Sequence, residues 1–164
     1  MKRFKKVLWF LFIVLIVIQF FHPQKNISSA VSANHISKIV HVPADVQHIF
    51  DQSCNDCHSN NTIYPWYVNI QPVDWWMNHH VSEGKRELNL DEFGTYTIRR
   101  QFNKFKGIAD KIKEDEMPIG SYTLVHRDAI LSAEQKEVLI KWAEAMQNEM
   151  KATYPADSLK RKNG

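Results

Sequence analysis

The sequence predicts an all-α fold, with one helical domain preceded by an apolar amino-terminal helix. Three observations carry this expectation. Apolar residues recur at helical spacing in separate stretches: Val46, Ile49 and Phe50; Val73, Trp76, Met77, His80 and Val81; Ile98, Phe102, Phe105, Ile108 and Ile112; and Leu139, Trp142, Ala143, Met146 and Met150. Residues suited to helix starts stand before them, with Pro43 and Pro72 in first-turn positions and Ser132 three residues ahead of Gln135 in a capping-box arrangement. The run Val7–Phe21 is apolar except for Gln19 and follows Lys2, Arg3, Lys5 and Lys6.

With 164 residues, 44% of them hydrophobic, the chain holds enough material for one compact domain and a terminal segment, but not for two full cores. The formal net charge is +3, yet seven of the 21 basic residues lie at the chain ends, which leaves 14 against 18 acidic ones in the body. A mildly acidic body gives no basic patch, and nucleic acid is not an expected partner.

The amino-terminal run is about fifteen residues, roughly 22 Å as a helix, shorter than a typical spanning segment and close to a signal-peptide core. Small residues suited to cleavage come late, at Ser28-Ser29-Ala30 and Val31-Ser32-Ala33, so an uncleaved signal-anchor over residues 1–25 is favoured over a removed signal peptide. Basic residues precede the run and only Lys25 follows closely, which orients the amino terminus to the cytoplasm and the rest of the chain outward. The expected location is the cytoplasmic membrane with the domain on its outer, periplasmic side, or an exported soluble form if the segment is cut. Residues 26–42 are polar and read as a linker, the domain spans 43–152, and 153–164 reads as a disordered charged tail.

The chemistry centres on Cys54-Asn55-Asp56-Cys57-His58. This C-x-x-C-H arrangement is the signature of covalent haem c attachment: each sulfur can form a thioether with a haem vinyl group, and the histidine is placed to ligate the iron. Both cysteines of the chain are used, so no disulfide partner is expected. A zinc site would need about four ligands and a second pair is missing; a thioredoxin-like pair would need a βαβ context. Phe50 continues one helical face with Cys54 and Cys57, and Tyr64, Trp66 and Trp76 follow closely, so these four are candidate haem-pocket residues.

Met117, 59 residues after His58, is held out of helical backbone by Pro118, on a loop long enough to return to the opposite face of a haem. It is the expected sixth ligand. His80 lies on an apolar helical face and is the alternative; His79 points elsewhere. His126 reads as solvent-facing, and Trp142 as the packing anchor between the first and last domain helices.

From about Phe50 to Trp142 the chain resembles the bacterial single-haem haem-binding domain family, itself similar to class I c-type cytochromes. The resemblance is carried by Cys54–Thr62, Tyr64-Pro65-Trp66-Tyr67, Trp75-Trp76, His80-Val81, Glu83-Gly84, Glu116-Met117-Pro118 and Tyr122-Thr123. It implies a cytochrome c-like domain with one covalent haem, thioethers at Cys54 and Cys57, His58 as proximal ligand and Met117 as distal ligand. It also implies attachment of the haem outside the cytoplasmic membrane.

The expected function is electron transfer with redox partner proteins of the envelope, without a catalytic substrate. Two other readings stand beside it: a haem enzyme or gas or redox sensor with an openable distal site, and an interaction protein with a structural haem.

Overall fold

The computed structural model describes residues 2–28, 30 and 32–160, and these are helical, with no strand among them. In chain order the helices are α1 (Lys2–Ile18), α2 (Ile36–Ile39), α3 (Ala44–Ser53), α4 (Asn55–His58), α5 (Val73–Glu87), α6 (Ile98–Lys113), α7 (Gly120–Thr123), α8 (Ala133–Thr153) and α9 (Ala156–Leu159). Single 3-10 turns occupy Trp66–Asn69, Leu90–Thr95 and Arg127–Ala129.

The expected amphipathic stripes build the frame. Phe105, Ala109 and Ile112 of α6 bury against Leu139, Trp142, Ala143 and Met150 of α8, and Val46, Ile49 and Phe50 of α3 complete the main core. Trp142 stands at the three-way junction: its ring meets Phe50 and Phe105 edge-on, each with centroids 5.5 Å apart, while its Nε1 donates to the His41 carbonyl at 3.1 Å. The helix starts are capped as their residues require. Thr97 accepts from the Arg100 N–H, and Ser132 and Gln135 form the complete capping box.

α5 begins after Pro72 as predicted but continues past Gly84, where the sequence suggests an end. Gly84 is there for proximity: a Cβ on it would lie 2.6 Å from the Cys57 carbonyl oxygen, so only glycine lets α5 cross this close to α4. Val68, Met77 and Val81 form a second, smaller core under this crossing.

Three sequence expectations are corrected. The described residues of the 26–42 linker are packed onto the domain: Ile36 is fully buried, α2 rests on the Leu90–Thr95 turn, and the Asn34 carbonyl accepts from the Gly94 N–H at 2.8 Å. Ile36, Val40 and Val42 supply its core contacts, too few for a sustained periodic signal. The tail is ordered at its start, where α9 packs on α6 through the buried Leu159; residues 161–164, with Arg161 and Lys162, lie outside the described residues. α1 stops at Ile18 rather than Phe21, because the Gln19 side chain turns back to the Leu15 carbonyl and accepts from the Gln71 N–H. No helix among the described residues is long and apolar enough to cross a membrane.

Candidate functional site

Cys54 closes α3 and opens α4, the single turn that carries the motif, and the His58 N–H donates to the Cys54 carbonyl at 2.9 Å. One helical turn therefore carries all three residues, with Cys54 packed against the main core, Cys57 at a cleft beside α5 and the His58 ring turned to that helix. The thiols are free and half-buried. Burial, with Cys57 and Asp51 nearby, pushes Cys54 up to about 12; burial and the Asp56 carboxylate push Cys57 up to about 11. Both remain protonated at neutral pH.

The His58 Nδ1 lies 2.9 Å from the carbonyl oxygens of both Gly84 and Leu88. Two acceptors require a donor between them, so the proton sits on Nδ1 and Nε2 keeps its lone pair. Burial lowers the pKa of His58 and outweighs the two carbonyls, which keeps the ring neutral. This is the form of histidine that ligates a metal, with the second nitrogen oriented by backbone.

This small cleft, partly open to solvent, lies between α5 and the loop containing α7. Cys57 is in its wall, together with Trp76, Met77, His80, Tyr122 and His126. Tyr122 ties the α7 side of the cleft to the motif: its hydroxyl donates to Asp56 Oδ2 at 2.8 Å, and the other carboxylate oxygen accepts from the Ile63 N–H at 3.0 Å. Burial and Asp56 raise the pKa of Tyr122, so it stays a phenol donor. Its ring stacks on His126 with centroids 4.3 Å apart.

Of the candidate pocket residues, Trp76 borders the cleft, and its ring meets that of His80 edge-on at 4.4 Å. Phe50 is in the main core against Trp142, because α8 covers the face of α3 on which it stands. Tyr64 packs on the small core and its hydroxyl accepts from the Asn26 N–H. Trp66 is 76% exposed, since the 3-10 turn points Val68 inward instead. Met117 is half-buried against the main core, as is Cys54, and its N–H donates to the Lys111 carbonyl at 3.3 Å; Ile119, two residues on, reaches the cleft. His79 is exposed beside Glu83. His126, expected in solvent, is half-buried in the cleft wall.

Sequence reasoning passed over Asp56, Gly84, Tyr122 and His126 as working parts. The four-residue spacing of Tyr122 and His126 was the available signal, but the partners lie far away in sequence.

A neutral imidazole with a free Nε2 and two unpaired thiols on the same turn are groups that suit a haem, and of them Cys57 lines the cleft, whereas Cys54, His58 and Met117 do not. These features on an all-α scaffold define a haem-binding domain. The model of the haem-binding domain family matches residues 13–145, and the chain belongs to this family. The match begins within α1 and so takes in the packed segment before α3. No curated protein and no solved structure matches the chain.

Proposed function

We propose that the protein is a membrane-tethered single-haem c-type cytochrome that carries electrons in the cell envelope, with a cytochrome c-like arrangement of its helices. The observation that carries this reading is His58, held by two backbone carbonyls on the same helical turn as two free thiols. Cys54 and Cys57 hold the haem as thioethers and His58 is the proximal ligand. Bound haem supplies a one-electron iron couple, and no substrate is required. The remaining chain excludes water and sets the potential through burial and ligand choice.

Met117 is the distal ligand in this reading, supported by its non-helical position just before the cleft residue Ile119. His80 is the alternative, favoured by its ring in the cleft wall. The same cleft, with His80 and His126, favours a haem enzyme or gas sensor as the second function. Anchoring rests on α1, whose residues Val7–Val17 are all exposed and apolar behind a basic start; the cluster at Lys2–Lys6 would remain cytoplasmic and the domain would lie on the periplasmic side.

The test is a denaturing gel stained for haem, with a reduced-minus-oxidised spectrum of the exported protein. Staining should be present, and lost when Cys54 and Cys57 are both replaced by alanine; an unstained parent protein overturns covalent attachment. Met117→Ala should abolish the methionine-to-iron charge-transfer band. An unchanged spectrum there, with a changed one in His80→Ala, assigns the position to His80. Rapid carbon monoxide binding by the untouched reduced protein would favour the enzyme or sensor.

A further inference from the structure

We propose that the domain is docked on the lipid bilayer rather than hung from it, with Phe20, Phe21, Ile70 and Trp75 seated in the membrane interface. This rests on the membrane reading of α1 given above and adds the placement of the domain.

The segment leaving α1 has no free length. Gln71, 1% exposed, donates its backbone N–H to Gln19 Oε1 at 2.9 Å and its side-chain amide to the Phe21 carbonyl at 2.7 Å. The Trp75 indole N–H donates to that same carbonyl at 2.8 Å. One residue further, His22 Nδ1 donates to the buried carboxylate of Asp74 at 2.7 Å, and Lys25 reaches Asn69 at 2.9 Å. Asn26 then donates to the Ser59 carbonyl and to the Thr62 hydroxyl, directly after the motif. From Gln19 to Asn26 the chain is pinned to the domain along its course, so the helix end and the domain move together.

This junction exposes large apolar side chains: Phe20 is 80% exposed, Phe21 61%, Ile70 48% and Trp75 41%. They continue the apolar surface of α1 onto the body of the domain. The apolar helical stretch Val7–Ile18 rises only about 18 Å, against a hydrocarbon thickness of about 30 Å. A short apolar helix draws its flanking surface toward the lipid, and an apolar rim at its end meets that demand. Tryptophan suits the interface, and the indole N–H of Trp75 is already paired, so its ring enters with no unsatisfied donor. A contiguous apolar patch of this kind needs a partner, and its continuity with α1 makes that partner the bilayer.

The test uses the full haem-loaded chain in vesicles of phosphatidylcholine and phosphatidylglycerol. A nitroxide is placed at Ile70→Cys or, for comparison, at the exposed Glu149→Cys on α8, with one label per chain verified by mass. The protein should float with the vesicles, and the ratio of oxygen to nickel-chelate accessibility should be several-fold higher at position 70 than at 149. Flotation with equal ratios overturns docking and leaves the anchor standing; no flotation overturns both. Gln71→Ala should lower the ratio at 70 while flotation and the haem spectrum persist, and an unchanged ratio overturns the pinning. A label at 70 shielded in native membranes but not in vesicles would assign the rim to a protein partner and overturn the proposal.

Discussion

A histidine that ligates a metal needs one nitrogen protonated and fixed and the other bare, and at His58 backbone alone meets that need through Gly84 and Leu88. The two thiols beside it are quiet. Cys54 and Cys57 are raised to about 12 and 11 from an ordinary 9.0, so at pH 8 the folded chain holds far less thiolate than the unfolded one. Thiolate is the reactive form, and holding the thiols this high lowers its fraction roughly a hundredfold or more. Alkylation of the haem-free protein by iodoacetamide at pH 8, followed by mass spectrometry, should therefore be slower than in urea by about that factor, and should recover as pH climbs toward 11. Equal rates in the two states would remove this account. At this scale the motif was legible because its chemistry is local in sequence. The roles of Asp56 and Tyr122 were not, since their hydrogen bond joins residues 66 positions apart.

Among the elements, the helices with strong stripes and caps were readable: α6 and α8 begin where Thr97 and Ser132 cap them. Glycine was not readable in the same way. A glycine near the end of a helical pattern signals either a stop or a close crossing, and only the position of α4 decides between them at Gly84. Gly84→Ala should destabilise the protein by about 1–3 kcal/mol, since the obstructing atom is backbone and cannot swing aside. Gly107, within α6, has open space around its Cβ direction, and Gly107→Ala should stabilise by about 0.5–1 kcal/mol. Thermal unfolding of the two variants should move Tm in opposite directions; a shared direction would argue against close approach as the reason for Gly84.

For the whole molecule, Trp142 gathers α3, α6 and α8 around one ring, as the sequence suggested for the first and last domain helices. Trp142→Ala should cost about 3–5 kcal/mol, a large share of the 5–15 kcal/mol typical of a domain. Urea denaturation should show the midpoint falling sharply, with Trp142→Phe intermediate; a midpoint near that of the parent would place the structural junction elsewhere. The packing of α2 and of α9 was hidden for a related reason. Ile36, Val40 and Val42 in or just after the first, and Leu159 in the second, add to a surface assembled from distant segments, and so few contacts make no sustained period to read.

The pairing of Asn26 with the loop after the motif bears on proteolytic processing. Asn26 accepts from the Thr62 backbone N–H and donates to Ser59 and to the Thr62 hydroxyl, while its other side-chain atom meets Lys85. A peptidase cutting after Ala30 or Ala33 would remove every one of these partners at once. The segment from Ser59 to Tyr64, in which Ser59 and Thr62 are buried, would lose these partners to water, so such a cut would reshape the edge of the site. The segment ahead of α2 is thereby a structural part of the domain it precedes.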